Sequence, residues 1–411
     1  MVDVAVVGAG LTGLSCAYHL LQQRPDTTVF VLDAADLGNG ASGRTTGMVT
    51  PGIGQDFARL VKRLGLQRAA DAYQKTRAAV RYVGEVLAAE NIDCEYDVVG
   101  QLVVAYGNDG EARLKKQAEA LEAAAQPCMR LDASALAERV RLHTGDRQLK
   151  RRALAALYFP DAATLNPVKL LHGLARAIQL RGGKIICQTK VLAIGQGAMP
   201  SLRLVSGQTI KASTVILATA SESTALARLT GRIIPIRLKV VATSPLSPTQ
   251  LAQLGWQNRE CIIDSRPLFN YFRLSHDKRI VFGGGAPAYA TAQCATPVFH
   301  DVLQELRRTF PGGESLKIAR QWCGAIDYTL DGLPVIGSLA SNQKVIYVGG
   351  FCGHGVALSV QSGRWVAEMV TQKSSPALLP WFRNSAPLIP GEWLRKTCFS
   401  LASGWMRLRG A

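Results

Sequence analysis

The chain has 411 residues, 48% hydrophobic and 19% charged, with Lys+Arg 47 against Asp+Glu 30 for a formal net charge of +17. That length suits roughly two domains with a substantial core, and no apolar run approaches the ~20 residues of a membrane-spanning helix. The 9 cysteines lie without CxxC pairing, which speaks against a disulfide framework or a zinc site; with no basic segment ahead of an apolar one at its start, the chain is expected to act in the cytoplasm.

Val2–Val7 is a valine-rich run that passes directly into Gly8-Ala9-Gly10-Leu11-Thr12-Gly13 and then a helical stretch through Ser15, Ala17, Leu20 and Leu21. A second apolar run, Val29–Leu32, ends in Asp33. Strand, glycine turn, helix and an acid about twenty residues on are the parts of a dinucleotide-binding βαβ unit. There Gly8 makes the tight turn, Gly10 lets the backbone reach a pyrophosphate, and Gly13 lets the helix pack close to the strand. The helix N-terminus aims free N–H groups at phosphates. Asp33, with Ala34 beside it, is placed to accept from ribose hydroxyls.

Gly38-Asn39-Gly40-Ala41-Ser42-Gly43-Arg44-Thr45-Thr46-Gly47 is too rich in glycine and small polar residues to pack a core. It can lay backbone N–H groups against a flat polar ligand. Ser42, Gly43, Arg44, Thr45 and Thr46 are therefore cofactor candidates, Arg44 for the pyrophosphate. Residues 56–90 read as a long helical region, 101–105 as a strand, and 111–125 and 133–141 as helices. Asn166-Pro167 caps and starts a helix through Leu170, Leu171, Leu174, Ala175 and Ile178, which Gly182-Gly183 ends. Strands at 184–187 and 189–194 follow, the second carrying Val191 as a cofactor candidate. Residues 214–218 form a buried strand expected to return beside the phosphate turn, ending at the candidates Thr219 and Ala220.

From 233 to 285 the pattern changes to alternating strands, at 233–243, 261–264, 269–274 and 280–283. This reads as an antiparallel sheet inserted as a second domain. On the third strand Tyr271 and Arg273 share one face, opposite Asn270 and Phe272. Further on, a strand at 345–348 leads into Gly349-Gly350-Phe351-Cys352-Gly353-His354-Gly355 and a helix from Val356. That is a second anion-stabilising helix start, suited to the ring end of a flavin, whose reduced form carries negative charge. Cys352 reads as a small residue in a tight turn. His19, His143, His172, His276 and His300 have no metal-like spacing, and no metal is expected.

These segments resemble the FAD-dependent oxidoreductases of the D-amino-acid-oxidase type, which include glycine, sarcosine and gamma-glutamylputrescine oxidases. The likeness runs from Val2 to about Met369. Its specific parts are Gly40-Ala41-Ser42-Gly43-Arg44, Tyr271-Phe272-Arg273, Arg279-Ile280-Val281-Phe282-Gly283-Gly284 and Asp331-Gly332-Leu333-Pro334-Val335-Ile336-Gly337, while Gly353-His354-Gly355 is closer to the gamma-glutamylputrescine and sarcosine branches. The resemblance implies an α/β fold with an α+β second part: a discontinuous Rossmann-like FAD-binding domain over 1–80, 155–220 and 325–375, with a substrate domain over 81–154 and 221–324. It implies oxidation of a C–N bond in an amine or amino acid to an imine, hydrolysis, and reoxidation by oxygen with release of peroxide. The alternatives are a membrane-peripheral dehydrogenase with a quinone acceptor, and a tRNA-associated flavoprotein suggested only by charge.

His354, with the N–H groups of Gly353, Gly355 and Val356, is expected to stabilise the reduced ring; Tyr271 and Arg273 are expected at the substrate, Arg273 for an acidic group. Trp322 and Gly324 are expected near the flavin. Two departures bear on chemistry. The lysine with which sarcosine oxidases hold a substrate carboxylate is replaced by Ala357. The cysteine that attaches FAD in those enzymes is replaced by Gly324, with Cys323 one position off, so FAD is expected to be non-covalent. Of the basic excess, one cluster is Arg139, Arg141, Arg147, Lys150, Arg151 and Arg152, read as a solvated face. The other is the tail: residues 376–390 read as a proline-containing linker, and 393–409 as a basic amphipathic helix. That helix suits either the protein's own surface, slightly preferred, or an anionic membrane.

Overall fold

The computed structural model describes residues 1–143, 153–195, 197, 199–220, 226–227, 229–266, 268–290, 298–372 and 379–410, apart from the side chains of 153, 154, 402 and 406–410. Two large sheets organise it. The first is parallel at its centre, in the order Lys184–Ile186, Val29–Leu32, Val2–Val7, Thr209–Leu217, Asn342–Gly349. Val335–Leu339 adds an antiparallel edge, and Val191–Gly195 with Ser201–Leu204 forms an antiparallel ribbon on Thr209–Leu217. The central strands are nearly all Val, Ile and Leu because both faces are covered. On one face, helix Leu11–Gln23 packs against Gly355–Val370 so closely that a Cβ on Gly363 would strike Ser15, whose Oγ donates to the Val360 carbonyl at 2.6 Å. On the other face Val2, Val7, Leu202, Ile233 and Tyr347 form a separate core.

The second sheet runs Ile318–Tyr328, Ile234–Thr243, Ile280–Tyr289, Tyr271–Leu274, Cys261–Asp264, Gln101–Tyr106, Ala153–Phe159, Met129–Asp132. It is antiparallel except where Cys261–Asp264 pairs parallel with Gln101–Tyr106. Phe272, Phe282, Trp256 and Phe310 stack behind it with helix His300–Thr309. Its opposite side faces the first domain. A mixed α/β fold with two sheets is thus present.

Several expected boundaries move. The helical region is two helices, Phe57–Leu64 and Leu66–Glu90, broken at Gly65 with φ +82°. The second crosses the expected boundary at residue 80, because its Ala79, Val80, Val83 and Val86 belong to the core beneath the first sheet. Ala153–Phe159 pairs within the second sheet, and Ile318–Tyr328 continues through the boundary at 325. The tail segment is no plain linker. Trp381 is fully buried, and the Ile336 N–H bonds to its carbonyl at 2.9 Å while the Arg383 N–H bonds to the Ile336 carbonyl at 3.0 Å. Prolines suggested an extended connection; Trp381, Phe382 and Arg383 make it a piece of the first domain's edge. In the first basic cluster, Arg139 pairs with buried Glu260 at 2.9 Å and lies over the Tyr158 ring. Arg147, Lys150, Arg151 and Arg152 fall outside the described residues.

Candidate active site

The first strand hands the chain to Gly8, where φ is +105° and the missing Cβ leaves room for the Ala218 carbonyl. A Cβ on Gly13 would collide with the Gly8 carbonyl oxygen, so glycine there fixes how close the helix comes to the turn. The helix starts at Gly10 with no cap from its own side chain. Ser42 Oγ accepts the Leu11 N–H at 2.9 Å, and the Thr12 hydroxyl donates to Ser359 Oγ at 2.9 Å. The next N–H groups of the first turn have no intrahelical acceptor and open at the carboxyl edge of the sheet. Asp33 Oδ2 accepts the Ala9 N–H at 2.7 Å and Oδ1 the Ala35 N–H at 2.9 Å, which pins the carboxylate beside the turn. The Thr189 N–H bonds to the Asp33 carbonyl at 2.7 Å and brings the strand of Val191 alongside.

Thr219 and Ala220 leave the neighbouring strand on the other flank of the turn. Ala220 has φ +48°, and its carbonyl accepts from the Tyr347 hydroxyl at 3.1 Å. Thr219 Oγ1 is buried with no hydrogen-bond partner. A buried hydroxyl left orphaned beside a phosphate-binding turn is the mark of a ligand that completes it.

The second helix start lies at the same edge, since the Thr12–Ser359 bond ties the first turn of one helix to the second turn of the other. His354 is its N-cap residue and supplies no side-chain cap. No atom lies within 4 Å of where a Gly353 Cβ would sit, so open space lies beside the turn at Gly353. His354 packs over Gly52, its Nδ1 3.5 Å from Thr50 Oγ1. Burial pushes its imidazole down to about 4. The ring is neutral in ordinary buffers: it offers a hydrogen bond, and the positive potential at this helix start comes from backbone N–H groups. Cys352 is structural, as expected; Sγ donates to the Gly350 carbonyl at 3.1 Å, and burial pushes the thiol up to about 12.

The second sheet forms the facing wall. Trp322 Nε1 donates to the Arg44 carbonyl at 2.8 Å, and Gly324 lies directly against Arg44 Cβ. Register and strand alternation put Ile236, Leu238, Val240 and Ile326 on the same side as Trp322 and Gly324. Tyr271 lies across Gly283, and burial pushes its phenol up, so it stays a hydroxyl.

Two cationic candidates are tied down. Arg273 is buried and donates Nε to the Thr46 carbonyl and Nη2 to the Leu165 carbonyl at 3.0 Å. It clips the second sheet to the glycine-rich loop through Nε and Nη2. The Arg44 side chain donates to the Asn39 carbonyl and Oδ1 and to the Cys323 carbonyl at 2.8–2.9 Å. Among the described residues no group of three His, Cys, Asp or Glu is placed to hold a metal, and the described cysteines are free.

Sequence reading missed how the site's floor is held. Asp331 accepts from Arg63 Nη2 at 3.0 Å and from Arg383 Nη1 and Nη2 at 2.5 and 2.9 Å. Against the upward push of burial, Arg383 and Arg63 hold its carboxyl well below the usual carboxylate range. Gly332 rests on the Gly54 carbonyl, to which the Tyr328 hydroxyl also donates at 3.0 Å. Asp331 therefore braces the loop through Gly52 and Gly54, over which His354 packs. The motif gave Asp331; its distant arginines left no local signal.

A glycine turn at a parallel-sheet edge, a pinned acid and a second helix start are the parts of a dinucleotide-cofactor enzyme. The family profile described as FAD dependent oxidoreductase (DAO) matches residues 3–369; the chain belongs to that family. It is 31% identical over 370 residues to gamma-glutamylputrescine oxidoreductase of Escherichia coli (strain K12), covering 90% of this chain and 83% of that protein. It is 23% identical over 394 residues to glycine oxidase of Bacillus licheniformis, covering 92% and 95%. The crystal structure of glycine oxidase from Geobacillus kaustophilus superposes with a TM-score of 0.76 at 20% identity, over 95% of this chain and 99% of that one.

The cofactor is FAD, and the residues fit it. The orphaned Thr219 hydroxyl, the pinned Asp33 and the first turn at Gly10–Gly13 suit its adenosine diphosphate end, and the space before Gly353 suits its ring. The protein is an FAD-dependent oxidoreductase acting on amine or amino-acid type substrates. Among the described residues, no helix is long and apolar enough to cross a membrane.

Proposed function

We propose that the protein oxidises a C–N bond of an amine whose reacting carbon carries no carboxylate, with oxygen as the acceptor and hydrogen peroxide as product. The observation that carries this reading is the face of the second sheet that sets Trp322 and Gly324 against Arg44. It presents Ile236, Leu238, Val240, Ile326 and Trp322, and the arginine that shares its strand face, Arg273, is spent on backbone carbonyls. A carboxylate there would lose its water without gaining a charged partner. Ala357, at the place of a carboxylate-binding lysine in sarcosine oxidases, supports the same reading, as does the name of the gamma-glutamylputrescine relative.

FAD supplies the two-electron acceptor when bound. The substrate carbon gives up a hydride and the nitrogen a proton, leaving an imine that water hydrolyses; the electron pair finally reduces oxygen. The chain's part is orientation and electrostatics. Gly353, Gly355 and Val356 direct N–H groups at the ring end, His354 adds a neutral hydrogen-bonding edge, and Tyr271 offers a hydroxyl to the substrate side. With His354 near 4, the ring is a weak proton acceptor, which suits an amine that enters already neutral. Cofactor attachment is non-covalent: Gly324 has no side chain, and Cys323 alternates to the strand face opposite Trp322.

An amine and amino-acid panel, read by oxygen uptake and peroxide, tests this. Turnover of amines with oxygen is expected. Turnover confined to α-amino acids would overturn the substrate class, and activity only with quinones or dyes would overturn the acceptor.

A further inference from the structure

The strand Ile318–Tyr328, which carries Trp322 and Gly324, ends beside the turn at 350–354, and Asp327 makes the contact. Its Oδ2 accepts the Gly350 N–H, the carboxylate also accepts the Phe351 N–H, and its carbonyl accepts the Cys352 N–H at 3.1 Å. Three successive N–H groups of one turn thus end on a single residue. Gly349 leaves room for it, since a Cβ there would lie 2.9 Å from Oδ2. The turn needs such a hold. Gly350, Cys352 and Gly353 have φ of +76°, +52° and +94°, and a cysteine in the left-handed region is strained. The N–H groups of Gly353 and Gly355, by contrast, meet no acceptor among the described residues.

We propose that Asp327 is a positioning residue for the flavin: it gathers the N–H groups of Gly350, Phe351 and Cys352, and so fixes the turn that leaves those of Gly353 and Gly355 to stabilise negative charge on the ring. Asp327 is buried, and among the described residues no lysine or arginine pairs with it. Burial pushes its carboxyl up. Stability alone would favour an uncharged residue at such a place. A buried, unpaired acid beside a cofactor site points instead to a role in that site. The role is exerted through the backbone of the turn. The inference rests on the ring end of FAD lying at the Gly353 helix start, and it holds whatever the substrate or acceptor.

The test uses FAD-loaded Asp327→Asn and Asp327→Ala beside the unsubstituted protein. Sulfite adds reversibly to an oxidised flavin and leaves negative charge on the ring, so its dissociation constant reads the turn with neither amine nor oxygen present. Asp327→Ala should weaken sulfite binding about tenfold and lower the two-electron potential. Asp327→Asn keeps one acceptor oxygen and should do both by less. A residue that only stabilises the fold would lower the melting temperature and leave sulfite affinity and potential in place; that outcome overturns the proposal. So does tighter sulfite binding with a raised potential, which would mean that the carboxylate's own charge opposes reduction. Should a variant purify without flavin, retained binding of adenosine diphosphate supports the proposal, since only the ring end depends on Asp327, and loss of both ligands overturns it.

Discussion

Asp331→Asn is expected to loosen the cofactor site from a distance. The carboxylate is only 9% exposed and accepts from Arg63 Nη2 at 3.0 Å and both terminal nitrogens of Arg383 at 2.5 and 2.9 Å. Charge-assisted hydrogen bonds contribute about 1.5–3 kcal/mol each. Asparagine keeps one oxygen as acceptor but turns its NH2 toward guanidinium donors and leaves exposed Arg63 and half-buried Arg383 short of a counter-charge. A net loss of about 2–4 kcal/mol follows, a fall in melting temperature of about 2–5 °C for a chain this size. The pH dependence has a definite sign. The folded carboxyl is held below its ordinary value, so its contribution is complete above about pH 4 and is lost as pH falls through the folded value. The two proteins should therefore differ at neutral pH and converge in acid. Thermal melting and flavin release from FAD-loaded protein across pH measure this. Equal melting at neutral pH, within about one degree, together with unchanged flavin retention would refute the bracing role.

Asp33→Ala should weaken FAD binding by about 1–3 kcal/mol, ten- to a hundredfold, through lost ribose hydrogen bonds and a freed Ala9 N–H; titration of apoprotein with FAD reads it. Arg273→Met should lower stability and flavin retention while changing KM for acidic and neutral amines alike, whereas a selective loss with acidic amines would return Arg273 to the substrate. His354→Asn should lower kcat yet leave the pH profile of kcat/KM in place, since the group titrates near 4 and the amine itself sets the limb; a limb that disappears with the substitution would make His354 a base. Acid precipitation should leave FAD in the supernatant, and a yellow pellet would point to Cys323.

What the sequence disclosed and what it hid divide along physical lines. The run from Val2 through Gly13 to Asp33 was legible because turn sterics, helix start and acid spacing are local. Asn166 was equally legible, its side chain accepting from the N–H groups of Val168 and Lys169. Strand alternation put Tyr271 and Arg273 on one face, and the structure agrees. It could not say that the groups facing Arg273 would be the carbonyls of Thr46 and Leu165, 227 and 108 positions away. The same distance hid Arg63 and Arg383 from Asp331. Proline content made 376–390 read as a linker, because composition does not reveal that Trp381 fills the edge of a core.

On the proposed reading, FAD in this chain takes electrons from the C–N bond of an amine facing an apolar wall. Its most direct test is to mix FAD-loaded protein without oxygen with amines and with α-amino acids, and follow bleaching of the visible flavin band. Bleaching by an amine, with peroxide formed when air is admitted, is the result predicted. Bleaching only by α-amino acids, or by no compound of either class, would contradict it.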